Sequence, residues 1–220
     1  MRNFETWLEM YWVCFLARFK ISEDRGEPVF EEIRNHYAES HRSYHGLKHP
    51  VLLLDELQTA RQRKPEWFID SKQDAAIELA IWDHDSFYDV RAKDNEERSA
   101  ERAFQHARDL GFSLQVGGRA KKLVLATKHI VPPEELAAQI VVDIDLSLLA
   151  APWANFAQDS QNIRREYAHV SDRDFKNGQR DFLTSMLKRP RIYGTDYFHE
   201  KFETLARENL ERSLREQFAP

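Results

Sequence analysis

The stretch Glu134–Leu149, EELAAQIVVDIDLSLL, decides the fold. Its β-branched run Ile140–Val142 suits a strand, and an apolar run of this length is ambiguous between strand and helix. A buried strand needs partner strands. Strand-like runs are scarce elsewhere in the chain, so the stretch is read as a helix and the chain as all-α. On a helix, positions two apart face different directions. One of Asp143 and Asp145 is therefore expected to point inward and the other outward.

Working outward, the remaining segments carry apolar residues at three- and four-residue steps. Residues 3–20 place Leu8, Tyr11, Trp12, Phe15, Leu16 and Phe19 on one face. A second helix is expected from Pro28, with Phe30, Ile33 and Tyr37 together. After the polar break 40–43, a third runs from Tyr44 to Ala60. Pro50 is tolerable there only in the first turn, so that helix can start near His49. Residues 64–70 read as a loop. Asp74–Trp82 is strongly apolar and leads into His84-Asp85. Asp94 or Asn95 is placed to cap the next helix, which ends at Gly111 with Glu96 and Glu97 near its start. Helices follow over 117–130, which Pro132-Pro133 stops, and over 153–170, 174–187 and 197–218. Leu205, Leu210 and Leu214 in the last are expected to pack internally or against another subunit, so a homo-oligomer is open. With no repeat, linker or charge block, the expectation is one all-α domain over 1–220, a bundle of eight to ten helices.

Composition narrows the function. A net charge of −5 gives no electrostatic reason to expect nucleic-acid binding. The single cysteine, Cys14, excludes an intramolecular disulfide and a multi-cysteine metal site, and its apolar neighbours predict a buried thiol. Acidic Glu5 and Glu9 interrupt the N-terminal apolar stretch, unlike a secretory signal. No run approaches the roughly 20 apolar residues of a membrane span. A cytoplasmic protein without a membrane partner is expected.

Chemistry-bearing residues cluster in a few places. His45 and His49 stand four apart, which on a helix puts both imidazoles on one face. Two such histidines bind one metal, or one binds metal while the other faces a substrate as proton donor, or the pair is simply solvated. His84-Asp85 ends an apolar run, where a buried carboxylate is costly unless paired or metal-bound. The alternative is that Asp85 caps the next segment and His84 bonds a backbone carbonyl. Together with one of Asp143 and Asp145, these stretches supply at least two histidines and two carboxylates. That nitrogen-and-oxygen set suits manganese, iron, cobalt, nickel or zinc, and is too rich in histidine for a dedicated calcium cage.

The order H…HD…D resembles the HD superfamily of metal-dependent phosphohydrolases, over about 100 residues of ligand spacing. The resemblance implies an all-α HD-domain-like fold, with the metal-site core over about 40–170. It implies His49, His84, Asp85 and Asp145 as ligands of one or two divalent ions (Mn, Fe, Co, Ni, Zn or Mg), and it selects Asp145 over Asp143. Tyr44–His49 (YHGLKH) is similar to the YHNxxHA stretch of the cyclic-nucleotide phosphodiesterase branch. Asp145-Leu146-Ser147 with Pro152-Trp153 is similar to its DLSxxxxPW segment. By that likeness His45 is the general acid. Gly46 and Pro50 depart from that branch, and the chain more closely resembles a small bacterial group of predicted HD-type phosphohydrolases. The segments that carry this are Arg42–His49 (RxYHxxxH), His84–Asp89 (HDxxYD), Asn95–Ala100 (NEExSA), Thr127–His129 (one residue short of TxxH), Asp143–Ala150 (DxDLSxLG, with Ala150 for glycine) and Arg165-Glu166-Tyr167.

The resemblance implies hydrolysis of a small-molecule phosphomonoester or phosphodiester, a nucleotide among the candidates. Metal-bound hydroxide would attack phosphorus while His45 protonates the leaving oxygen. Glu96 or Glu97 would orient water or support a ligand histidine, helix capping being the alternative for either. Lys128, His129 and Arg165 are expected substrate contacts, with solvated or salt-bridged roles as alternatives for Lys128 and Arg165. Two other readings stay open: a di-iron HD-type oxygenase, for which His129 would add a ligand, and a non-catalytic metal- or nucleotide-binding domain.

Overall fold

The computed structural model describes residues 3–218. These hold ten α-helices, two short 3₁₀ turns and no strand. The chain is all-α, and the Glu134–Leu149 stretch is helical. Two compact units divide it, the first ending at Val131 and the second beginning at Pro132. The boundary falls at Pro132-Pro133, where neither residue donates to a helix and the residue before each proline is pushed toward extended backbone. No single helix among the described residues is long and apolar enough to cross a membrane.

The first unit contains α1 (Phe4–Phe19), α2 (Glu23–Tyr37), α3 (Lys48–Arg63), α4 (Ser71–Asp83), α5 (Asn95–Asp109) and α6 (Leu114–Ala126), with a 3₁₀ turn, Pro65–Phe68, inside the expected loop. Helix α4 is its axis: every residue from Asp74 to Asp83 is buried. A helix buried all round belongs in the middle of a core, and α4 packs against α3, α5 and α6. Trp82 on α4 meets Trp12 of α1 edge-on at 5.1 Å, and Trp12 stacks on Phe30 of α2 at 5.6 Å. Asp70 starts α4 by accepting the Lys72 and Gln73 amides. Three carboxylates, Asp74, Glu78 and Asp83, travel into the core with α4. Glu78 takes the guanidinium groups of Arg18 and Arg61, and Arg61 also grips Asp74 at 2.5 Å. A buried carboxylate persists only with such partners.

Several boundaries differ from expectation. Helix α2 begins at Glu23, so Pro28 sits in its second turn; the acidic pair Glu23 and Asp24 at the positive helix end outweighs the one donor that proline removes. Helix α3 begins at Lys48, and residues 38–47 are non-helical. Pro50 is thereby in the first turn, where its missing N–H is an orphan anyway. Asp94 occupies the N-cap position of α5 without a side-chain hydrogen bond; Asn95 instead clasps the Asp89 backbone N–H and C=O. Gly111 ends the α5 region with φ 86°, a left-handed turn that costs glycine little. Cys14 is exposed, contrary to the expected core thiol. The buried stripe of α1 is Leu8, Tyr11, Trp12, Phe15 and Leu16, and Cys14 lies beside exposed Val13 on the opposite face. Apolar neighbours in sequence are not neighbours around a helix.

The second unit contains α7 (Leu136–Asp145), a 3₁₀ turn (Leu146–Ala150), α8 (Trp153–Glu166), α9 (Asp172–Lys188) and α10 (Asp196–Phe218). Helix α10 organises it. Asn209 donates to the Leu149 and Ala151 carbonyls at 2.8 Å, and Glu203 accepts the amides of Ile192 and Tyr193. Tyr193 in turn donates to the Leu146 carbonyl. Leu210 is buried in this unit, whereas Leu205 is exposed.

Candidate metal centre

In the first unit, the site is assembled from the end of α4 and the start of α3. His49 is the second residue of α3, and its backbone N–H reaches the Gly46 carbonyl. His84 caps α4, and Asp85 follows in the turn. That break solves the directional problem of adjacent residues: beyond the last helical turn, both side chains can face one point.

His84 Nδ1 lies 3.0 Å from the Ile81 carbonyl. A carbonyl only accepts, so Nδ1 carries the hydrogen and the neutral ring presents a bare Nε2 lone pair. That Nε2 lies 3.0 Å from His49 Nε2 and 3.1 Å from Asp85 Oδ2, and His49 Nε2 lies 3.5 Å from the same oxygen. Three electron-rich atoms at this spacing repel unless a proton or cation sits among them. Neighbouring ligands on an ion with bonds of about 2.0–2.2 Å stand about 3 Å apart. The donor set, two imidazole nitrogens and a carboxylate oxygen, therefore fits a divalent transition ion or zinc.

Electrostatics match ligand duty. Burial, reinforced by His84 and His45, lowers the His49 pKa and favours the neutral ring, although Asp85 pulls the other way. Burial opposes ionisation of Asp85, yet His84 and His45 in their protonated forms, with hydrogen bonds from His49 and His84, hold it well below the usual carboxylate range.

His45 does not lie on a helix. It sits in the 38–47 loop, so four-residue helical spacing is not what brings it to His49. Ring contacts do: His45 meets Tyr44 edge-on at 4.7 Å, lies against Tyr88 at 4.2 Å and comes within 5.6 Å of the His49 ring. Its Nε2 is 3.9 Å from Asp85 Oδ2, the carboxylate oxygen that also faces both other histidines, and its side chain is 18% exposed. A partly exposed imidazole at the rim of a ligand cluster is placed for proton transfer.

The other expected residues lie as follows. Glu96 and Glu97 are in the first turn of α5, and Glu97 takes Lys128 in an exposed ion pair. Lys128 is thus salt-bridged, one of the alternatives its sequence context allowed. His129 follows α6 with φ 55°, an uncommon conformation for a non-glycine residue. Arg165, in the second unit, is exposed near the end of α8 and donates to Asn162 at 3.0 Å. Asp145, also in the second unit, is the partly buried last residue of α7. Two positions earlier, Asp143 is buried and accepts Gly194 N–H at 2.6 Å, Thr195 N–H at 2.8 Å and Thr195 Oγ1 at 2.7 Å. Burial pushes its pKa up to about 6 against the pull of those bonds. Asp143 points inward, and its work is to hold the turn before α10.

Two residues escaped sequence reasoning. Arg42 has a fully buried side chain and donates to the backbone of Asp85 and Ser86; its only signal was its place at the head of RxYHxxxH. His106 binds Asp83, the residue just before His84, at 2.8 Å, and nothing in sequence links positions 23 apart.

No family model, no curated protein and no solved structure matches this chain.

Proposed function

We propose that this chain is a metal-dependent phosphohydrolase acting on a phosphomonoester or phosphodiester. The observation that carries the reading is the convergence of His49 Nε2, His84 Nε2 and Asp85 Oδ2 within 3.0–3.5 Å, with His45 at the edge of the same carboxylate. Asp145 is the fourth ligand of the proposal, taken from the motif order H…HD…D. When bound, a divalent ion supplies Lewis acidity, polarising a phosphoryl oxygen and easing deprotonation of water. His49 and His84 contribute neutral nitrogen ligands, and ionised Asp85 balances the ion's charge. His45 donates a proton to the leaving oxygen, a step commonly worth roughly 10²–10⁴-fold.

The test is a panel of phosphomonoesters and phosphodiesters assayed with Mn²⁺, Co²⁺, Ni²⁺, Zn²⁺ and Mg²⁺, alongside metal titration. The expected result is metal-dependent turnover that disappears in the His84→Ala/Asp85→Ala double variant. His45→Ala should keep the metal and lose turnover on esters whose leaving oxygen needs a proton. Full metal content and activity in the double variant would sink the proposal.

A further inference from the structure

We propose that Arg42 is a positioning residue that holds the proton donor His45 in register with the ligand Asp85. The inference rests on the phosphohydrolase reading and deepens it. His45 sits in a loop, so no helix sets its direction. Something tertiary must, and Arg42 is built for it. Its guanidinium donates through Nη1 to the Asp85 carbonyl at 2.6 Å and to the His45 carbonyl at 3.4 Å, and through Nη2 to the Ser86 carbonyl at 3.2 Å. Nε takes Glu39 at 2.9 Å. One side chain thereby bridges the loop that carries the acid and the turn that carries the ligand.

Burying a cation is expensive unless its donors are met. A purely structural arginine could be balanced by Glu39 alone. Here the two Nη groups are directed at main-chain oxygens of the two site segments, with the guanidinium lying over the rings of Tyr37 (5.4 Å) and Tyr88 (5.6 Å). Tyr88 is the ring against which His45 lies. Arg42 therefore fixes His45 twice, through its backbone and through the surface under its imidazole. Lysine cannot substitute, because an ammonium lacks the planar fork that reaches several carbonyls at once.

The experiment compares two esters on the Mn²⁺-loaded protein. p-Nitrophenolate leaves without a proton, whereas phenolate from phenyl phosphate depends on the general acid. Arg42→Ala and Arg42→Lys are expected to keep metal stoichiometry and KM. They should lose kcat on phenyl phosphate by roughly 10²-fold, the scale of a misplaced catalytic group, and lose little on p-nitrophenyl phosphate. His45→Ala should show the same selectivity, and millimolar guanidinium should partly restore Arg42→Ala. Should Arg42→Ala fail to fold by thermal melt, Arg42→Lys carries the comparison. Equal losses on both esters, or no loss, would overturn the role of Arg42 while leaving the phosphohydrolase reading intact. A wild-type protein that binds no Mn²⁺ and hydrolyses neither ester overturns that reading, and this inference with it.

Discussion

The ends of α4 and α7 are written alike and used differently. Each closes an apolar helix with two acids two positions apart, Asp83 and Asp85 in one and Asp143 and Asp145 in the other. In both, the first acid is buried and the second is partly exposed. In α7 helical geometry explains the split, since positions two apart point about 200° away from each other; Asp85 diverges from Asp83 because it lies in the turn past the end of α4. The partners of the buried acids differ. Asp83 meets an imidazole, His106, in the first unit, whereas Asp143 meets two amides and a hydroxyl in the second. The same pattern thus makes a charge pair in one place and a turn clasp in the other.

The sharpest break of this comparison lies between first and second acids. Asp85→Asn and Asp145→Asn should each weaken Mn²⁺ affinity by more than about 100-fold, beyond the roughly 10–100-fold that losing a residue behind a ligand costs. Their melting temperatures should stay near wild type. A titration showing unchanged affinity for either variant removes that residue from the ligand set.

Asp143→Ala should do the opposite. Three buried or half-buried donors lose their acceptor, and with partial relaxation the expected loss is about 3–5 kcal/mol of stability. Urea unfolding followed by circular dichroism measures it. A loss under about 1 kcal/mol would show that Gly194 and Thr195 find other acceptors.

The Asp83 pair has a pH signature that the Asp143 clasp lacks. Burial works against a charged His106, but Asp83, with Glu32 adding to it, raises its pKa to about 9. In the unfolded chain the ring titrates near 6.5, so the folded state binds the proton more tightly. The pair's contribution, on the order of 3 kcal/mol, is complete below about pH 6.5 and is lost as pH rises through about 9. Stability measured from pH 6 to 10 should fall across that window in wild type and stay flatter in Asp83→Asn. Parallel curves would place the titration elsewhere.

The smallest effect is expected on α1. Exposed Cys14 should react with a thiol reagent such as dithionitrobenzoate in the native protein, and Cys14→Ser should leave the melting temperature unchanged. A thiol that reacts only after denaturation contradicts the exposed position.

Much of the fold was legible because periodicity reports burial directly. The α1 stripe Leu8, Tyr11, Trp12, Phe15 and Leu16 and the α2 face Phe30, Ile33 and Tyr37 are buried as their spacing predicts, while Phe19, expected on the α1 face, is only half-buried at the helix end. Cys14 shows where that signal stops: composition counts apolar neighbours, while burial depends on angle around the helix. Pro28 shows a second limit, since a proline marks a helix start only when no better N-terminal signal precedes it. At the site, residue types and their order pointed to His49, His84 and Asp85. The spacing argument for His45 and His49 reached the right neighbours for a helical reason that does not apply, because the 38–47 loop brings the rings together through aromatic contacts.

By itself, then, the sequence determined the all-α class, the inward–outward split of Asp143 and Asp145 and the residue types able to hold an ion. These follow from local rules, helical periodicity and donor chemistry, that need no knowledge of the rest of the chain. Only the tertiary structure decided that His84 presents Nε2 rather than Nδ1, that Arg42 ties the His45 loop to the Asp85 turn, and that His106 answers Asp83. Each depends on groups brought together by folding, at separations of up to 43 residues in the case of Arg42 and Asp85. A hydrogen bond has no signature in one strand of sequence when its partner is chosen by packing.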